Sequence, residues 1–142
     1  MNELLFEILC HLRAMQLFYH NSHNNVNGPL FPADHALLSD FYTALDSDYD
    51  GVAERIIGLF DKPLNLNDIL QKVYEKVSTK DSSQFTENKE VFTTGLQCEV
   101  ELQALCNHLD KSPDATAGTK QLIGDISDAS EIRTYKIKQR LK

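Results

Sequence analysis

Four long stretches of this chain repeat apolar side chains at helical intervals, and this periodicity constrains the fold more than any other feature. In residues 2–24 the apolar positions are Leu4, Leu5, Ile8, Leu9, Leu12, Met15, Phe18 and Tyr19. Such spacing places apolar side chains along one face of an α-helix. No segment alternates apolar and polar residues as a strand does, and four Pro and six Gly are too few for a many-turned β fold. The sequence therefore predicts an all-α protein.

Turn residues and helix-end signals divide the chain into five predicted helices. Asn24 to Pro29 breaks the first helix, and Pro32 lies in the first turn of the second. Ser112 is predicted to cap the last helix, with Pro113 at its first position. That helix is predicted to run nearly to the end of the chain, through Leu122, Ile123, Ile126, Ile132 and Tyr135. The predicted ranges are 2–24, 32–58, 67–78, 85–109 and 113 to near the C-terminus.

These helices predict a four-helix bundle, because four of them are long and one is short. The short helix lies between the second and third long helices, in a connection long enough to cross the bundle. This is the ferritin-like arrangement. A chain of 142 residues suits one domain, so residues 1–142 are predicted to form a single bundle.

Composition excludes several classes of protein. A net charge of −7 argues against a surface built mainly for nucleic acid and suits a protein that attracts cations. Glu3 and Glu7 interrupt the first apolar stretch, so neither a signal peptide nor a membrane-spanning helix is expected. Three cysteines without CxxC spacing are typical of reduced, buried thiols, and they predict a cytoplasmic location.

Acidic residues in the second helix resemble part of a metal site. Asp46, Asp48, Asp50 and Gly51 match the start of a calcium-binding EF-hand loop, but the position of its bidentate Glu is occupied by Ile57. Calcium is therefore rejected, and Asp46 and Asp48 are read as a solvated face. Asp50 and Glu54 remain, four residues apart on one helical face.

Two histidines complete a candidate set of metal ligands. His23 ends the first helix and His35 begins the second; imidazole and carboxylate together suit iron, manganese or zinc. His35 and Asp50 are fifteen residues apart on one helix, about 22 Å at 1.5 Å per residue, so one ion cannot bridge them within a chain. If two copies of the second helix pack antiparallel about a two-fold axis, the histidines of one chain meet the acids of the other.

The segment from His23 to Arg55 resembles the Dps proteins, the mini-ferritins of the ferritin-like superfamily. Their pattern reads approximately H-x-N-V-x-G-P-x-F-x-x-x-H-x-x-x-D, followed by D-x-x-A-E-R. This chain matches it at His23, Asn25, Val26, Gly28, Pro29, Phe31, His35, Asp50, Ala53, Glu54 and Arg55. The order of the helices agrees as well.

The resemblance implies a function and an assembly. Dps proteins form hollow dodecamers, oxidise Fe(II), typically with hydrogen peroxide, and store Fe(III) inside, which protects against oxidative damage. Carried over, His23 and His35 of one chain and Asp50 and Glu54 of its partner are the metal-binding and catalytic residues, with Glu54 bridging two metal positions. Iron is the expected metal, and no organic cofactor is expected.

The chain departs from the family pattern in its ligands. The Asp expected four residues after the second His is Ser39, and the neighbouring Asp40 is turned about 100° around the helix. Asp40 reaches the site only through backbone distortion or a water molecule. Two hypotheses follow: a ferroxidase that works despite Ser39, or a Dps-like shell with a degenerate site that acts as a structural or DNA-associated assembly.

The end of the chain bears on the DNA hypothesis. Residues 136–142 include four basic side chains, and twelve copies of such a tail would bind phosphate by multivalency. Basic residues in a last helical turn also complement the helix dipole, and this is the favoured interpretation.

Overall fold

The computed structural model describes all of residues 1–142 and contains five α-helices and no strand. The helices are α1 (Asn2–Asn25), α2 (Phe31–Phe60), α3 (Leu66–Val77), α4 (Asn88–Asp110) and α5 (Ala117–Leu141). A 3-10 turn at Ser82–Gln84 precedes α4. The predicted all-α fold, with four long helices and a short one in the middle connection, is confirmed.

The long helices form a bundle in which each packs antiparallel to its neighbours. The start of α1 lies by the end of α4, where the Met1 amine is 3.4 Å from the Asp114 carboxylate. The other end of α1 lies by the start of α4, where Asn27 and Asn88 are hydrogen-bonded. The segment between α2 and α4 therefore runs the length of the bundle, and α3 packs against α1 on the way.

A tight connection joins α1 to α2 and sets the relation of the two helices. Gly28 has a φ of 81°, a backbone conformation that residues other than glycine rarely adopt. The Gly28 carbonyl accepts a hydrogen bond from the Phe31 amide at 3.0 Å, and α2 begins there. The break predicted at Asn24 to Pro29 thus folds α2 directly back along α1.

The predicted start of the last helix is wrong. Ser112 does not cap a helix, because its hydroxyl donates to the Asp114 carboxylate at 2.5 Å. Thr116 is the cap instead, and its Oγ1 accepts a hydrogen bond from the Thr119 amide at 3.2 Å. Residues 112–115 form a turn, so α5 begins at Ala117. The third long helix likewise begins later than predicted, at Asn88, where Glu87 and Glu90 form a capping box.

The bundle core is mainly apolar and also buries several polar side chains. Helix α5 runs through Ile132 and Tyr135 as predicted, but these two side chains are 50% and 63% exposed. Ser130 and Arg133 are buried in their place, because they face Glu99 of α4. All three cysteines are buried and free, and burial raises the pKa of Cys98 and of Cys106 to about 12.

None of the helices combines the length and the apolar character that a membrane span requires.

Candidate metal centre

The structure brings His23 and His35 together within one chain. His23 lies in the last turn of α1 and His35 near the start of α2. Their rings stack with centroids 3.5 Å apart and planes 19° apart. Both side chains are half-buried. We refer to these two residues as the histidine pair.

Reciprocal hydrogen bonds orient the histidine pair. His23 Nδ1 donates to the carbonyl of His35 at 2.6 Å, and His35 Nδ1 donates to the carbonyl of His23 at 2.7 Å. A carbonyl oxygen only accepts, so each Nδ1 carries hydrogen and each neutral ring keeps a lone pair on Nε2. This is the arrangement found behind metal-binding histidines, where one nitrogen is anchored and the other is free.

Aromatic side chains frame the histidine pair; Phe31 belongs to the matched family pattern, whereas sequence analysis did not single out Tyr42. Phe31 lies 4.7 Å from the His35 ring between centroids, and Tyr42 meets the His23 ring edge-on at 5.2 Å. His20 stacks on Tyr42 at 4.0 Å, and its ring centroid is 6.3 Å from that of His23. Phe31, His35 and Tyr42 fall on one face of α2 at helical spacing, and this spacing is the signal that could have identified Tyr42.

Asp50 and Glu54 lie far from the histidine pair along α2. Because α2 is one continuous helix of 30 residues, the separation of about 22 Å between His35 and Asp50 holds. Both carboxylates are exposed, and neither forms a hydrogen bond or ion pair within the chain. Glu54 borders an open depression of about 410 Å³ together with Gly51, Arg55 and Leu122. The two acids therefore present free oxygens at the molecular surface.

The positions that depart from the family pattern are close to the histidine pair in sequence. Ser39 is half-buried one turn after His35, and it supplies no charge. Asp40 is exposed and has no partner within the chain. No group of three or more His, Cys, Asp or Glu side chains converges on one point in a single chain. The predicted ligands are thus divided into two separate groups, the histidine pair and the acids of α2.

A second polar cluster occupies the centre of the bundle, and sequence analysis missed it. The Glu99 carboxylate accepts hydrogen bonds from Tyr19 (2.6 Å), Ser130 (2.8 Å) and Arg133 Nε (3.0 and 3.1 Å). We call Tyr19, Glu99, Ser130 and Arg133 the central cluster; all four are buried. Burial, and then the Glu99 charge, raise the pKa of Tyr19 well above its usual value. The Arg133 guanidinium neutralises Glu99, so this cluster needs no metal cation for charge balance.

The interpretation of Asp48 as part of a solvated face is wrong. Asp48 is half-buried and one of its carboxylate oxygens is shielded from solvent without a partner. Burial raises the pKa of Asp48, although the Arg133 charge opposes that rise. Asp46, in contrast, is exposed and pairs with Arg13 at 2.9 Å. The EF-hand-like residues therefore point in different directions, because they lie on a helix instead of a loop.

Comparisons with known proteins agree with this fold. No protein-family model matches the chain. The DNA protection during starvation protein of Helicobacter pylori is 33% identical over 120 residues, which are 80% of this chain and 83% of that protein. The crystal structure of Dps from Thermosynechococcus elongatus superposes with a TM-score of 0.83 at 20% identity, covering 99% of this chain and 90% of that one.

A second solved structure gives the same result. The Dps protein of Vibrio cholerae O1, described as a member of a broad superfamily of ferritin-like diiron-carboxylate proteins, superposes with a TM-score of 0.76 at 20% identity. It covers 99% of this chain, which spans 88% of that protein. The two structures establish the ferritin-like fold. With the sequence relative added, the conclusion is that this chain belongs to the Dps family.

Proposed function

We propose that this chain is the subunit of a mini-ferritin that binds Fe(II) as substrate, oxidises it with hydrogen peroxide and stores Fe(III) inside a hollow oligomer. The observation that carries the proposal is the reciprocal bonding of the histidine pair, which leaves both Nε2 atoms available to a metal. The name of the Helicobacter pylori relative, protection of DNA during starvation, supports a protective role. The description of the Vibrio cholerae protein supports diiron chemistry.

The donor groups of this chain fit iron when two copies are combined. Imidazole and carboxylate suit Fe(II), and added carboxylates favour Fe(III), so ligation by Asp50 and Glu54 promotes oxidation. Oxidation of two Fe(II) supplies both electrons that convert one peroxide and two protons into two waters. We propose that a two-fold axis brings Asp50 and Glu54 of one subunit to His23 and His35 of the other, with Glu54 between the two metal positions.

An apolar surface on α3 supports the oligomer. Leu66, Leu70 and Tyr74 repeat every four residues on one face of α3 and are 67%, 56% and 70% exposed. The adjacent face of α3 buries Ile69 and Val73 against the bundle. An apolar stripe of this kind is typical of a surface that is covered in an assembly. A dodecamer is the proposed size, following the family.

The experiment that tests the oligomer is sedimentation of the purified protein at several concentrations. Leu70→Asp places a charge in the apolar stripe and is expected to shift the protein towards smaller species. Gln71→Asp adds the same charge to the neighbouring exposed position and is the control. Sedimentation of the wild-type protein as a monomer at all concentrations would refute the shared site as well as the shell.

The ferroxidase activity is tested by anaerobic titration with Fe(II), followed by peroxide and by the absorbance of the ferric product. The wild-type protein is expected to bind about two Fe(II) per subunit in a saturable manner and to oxidise them rapidly. His35→Ala and Glu54→Gln are expected to abolish both events. His108→Ala removes an exposed histidine outside the site and serves as the control. Equal iron oxidation by His35→Ala and the wild-type protein would refute the assigned site.

Ser39 favours a second candidate function, a Dps-like shell with a degenerate ferroxidase site. Ser39 supplies no carboxylate beside the histidine pair, and Asp40 points to solvent. The variant Ser39→Asp separates the two candidate functions. It greatly accelerates Fe(II) oxidation if the wild-type site is defective, and it changes the rate little if the site is competent. The control is Ala36→Asp, which adds the same charge at an exposed position of the same helix.

The DNA-associated form of the second candidate has limited support. Arg140, one of the four basic residues near the C-terminus, is already paired with Asp34. Lys136, Lys138 and Lys142 remain exposed, while the chain as a whole carries a charge of −7. A gel-shift assay at low and moderate salt tests this activity, because binding through phosphates weakens steeply as salt increases.

A further inference from the structure

A buried ion pair lies one residue from the histidine pair. The Asp34 carboxylate is 1% exposed and accepts two hydrogen bonds from Arg140, from Nε at 2.8 Å and from Nη2 at 2.9 Å. Two parallel bonds fix the planar guanidinium against the carboxylate. Because Asp34 directly precedes His35, the last turn of α5 is anchored to the backbone that carries His35.

Asn88 extends this contact to the loop that follows His23. Its side-chain amide donates to the Asp34 carboxylate at 3.0 Å and to the Asn27 carbonyl at 2.8 Å. Its side-chain carbonyl accepts from the Asn27 amide at 3.1 Å. We call Asp34, Asn88 and Arg140 the C-terminal clamp; it joins the α1–α2 loop, the first turn of α2, the start of α4 and the end of α5.

The histidine pair depends on the backbone positions that this clamp holds. Each ring donates to the backbone carbonyl of the other residue, at 2.6 and 2.7 Å, so the rings are oriented only while α1 and α2 keep this register. If the backbone of α2 moved by about 1 Å relative to α1, the rings would leave the range of roughly 0.5 Å within which the groups of a working site must be held. The clamp ties the first turn of α2 to the start of α4 and the end of α5.

Stability alone is a weak explanation for the clamp. An ion pair with a buried carboxylate is often no more stabilising than apolar residues of similar volume, because the buried charge loses its hydration; here Asp34 is 1% exposed and the Arg140 side chain 17%. The best-attested role of such a pair is to select one alignment of the packed helices among several. The register selected here is the one that sets the tautomer of both histidines.

We propose that Arg140 is a positioning residue: through Asp34 and Asn88 it holds the histidine pair in the Nδ1–H tautomer, with both Nε2 atoms directed to a metal. The C-terminal turn therefore controls the affinity of a site built by α1 and α2. This inference rests on the proposed function for its metal readout, whereas its tautomer readout needs no metal.

The first test is the tautomer of the histidines in metal-free protein. Solid-state nitrogen-15 NMR of histidine-labelled protein distinguishes Nδ1–H from Nε2–H, and spectra of His23→Ala and His35→Ala assign the signals. The wild-type protein is expected to show Nδ1–H for both residues, and Arg140→Gln a mixture of both tautomers. Lys138→Gln removes the same charge from the same exposed turn, away from Asp34, and is expected to match the wild-type protein.

The second test is the affinity for Zn(II), a metal without redox chemistry, measured by calorimetry. Arg140→Gln is expected to bind about 10-fold more weakly or worse, as is usual when the support of a metal-binding histidine is removed. Arg140→Lys keeps the charge without the paired bonds. Its Zn(II) affinity is expected to lie between those of the wild-type protein and Arg140→Gln. A mixed tautomer in Arg140→Gln with no Zn(II) bound by the wild-type protein would support the positioning role and refute the metal site.

A variant without buried charge separates positioning from folding. Asp34→Leu combined with Arg140→Leu leaves no unpaired charge, so it is expected to fold even where Arg140→Gln does not. It is expected to show mixed tautomers in an otherwise native bundle. If the folded double variant and Arg140→Gln both retained Nδ1–H tautomers and wild-type Zn(II) affinity, the proposal would be overturned, and the clamp would be purely structural.

Discussion

The central cluster and the histidine pair are both polar groups held between helices, and they differ in whether one chain pairs their charges and most of their polar atoms; in the central cluster only Arg133 Nη2 lacks a partner. In the central cluster, Glu99 meets Tyr19, Ser130 and Arg133, and its charge is neutralised inside the bundle. In the histidine pair, each ring uses one nitrogen for the fold and leaves the other unused. A buried polar group whose charges are paired within the chain supports the structure, whereas a pair of half-buried rings that each keep an unused nitrogen is available for a ligand.

The largest effect on stability is expected from opening the central cluster. Glu99→Gln keeps the volume but leaves the Arg133 guanidinium buried without a counter-charge. The expected loss is about 3–5 kcal/mol in the free energy of unfolding. Urea denaturation followed by circular dichroism measures it, and Glu131→Gln on the exposed face of α5 is the control. A loss below about 1 kcal/mol would mean that the cluster contributes little.

Gly95 tests how closely the central cluster is packed. A Cβ at this position would lie 2.9 Å from the ring of Tyr19, which is fully buried and unable to move aside. Gly95→Ala is therefore expected to cost about 1–3 kcal/mol of stability through overpacking. Gly124→Ala meets no atom within 4 Å and is expected to gain up to about 1 kcal/mol through helix propensity. Equal changes in the free energy of unfolding for Gly95→Ala and Gly124→Ala would contradict the close packing around Gly95.

The histidine pair should separate binding from stability. His35→Ala removes one hydrogen bond directly and exposes little apolar surface, so a loss of about 1 kcal/mol in unfolding free energy is expected. Binding of Fe(II) should be lost in the same variant. Thermal unfolding and anaerobic titration of one preparation measure both quantities. A stability loss comparable to that of Glu99→Gln would remove the contrast between the two regions.

His11 gives the smallest expected effect, and it is visible as a dependence on pH. Burial lowers the pKa of His11 below 6.5. The hydrogen bond to the Cys98 carbonyl at 2.9 Å raises this pKa, but by less than burial lowers it. The unfolded chain then binds this proton more readily than the folded one. The contribution of neutral His11 to the free energy of unfolding is complete above pH 6.5 and is lost as the pH falls below that value.

The pH effect is measured as the difference in unfolding free energy between the wild-type protein and His11→Gln from pH 8 to pH 5. We expect this difference to shrink as the pH falls, because only the wild-type protein carries the titrating ring. A difference that stays constant with pH would show that His11 titrates alike in the folded and unfolded chains.

Sequence analysis singled out the proposed ligands but not the C-terminal clamp next to the histidine pair. His23, His35, Asp50 and Glu54 stand out because a known spacing links them. Asp34 and Arg140 are 106 residues apart, and no local pattern connects an acid in a first helical turn to a basic residue near the end of the chain. The central cluster escaped notice for the same reason, since Arg133 resembles any charged residue on a helix surface until its neighbours are known.

The sequence by itself determined the number, order and approximate extent of the helices, and the sharp break between α1 and α2. These features depend on local rules: apolar periodicity, the positive φ of Gly28 and the absence of strand alternation. Tertiary structure decided between local signals of similar strength, as when Thr116 instead of Ser112 became the cap of α5. It also decided which faces are buried, because contacts between distant segments make Arg133 internal and Tyr135 exposed.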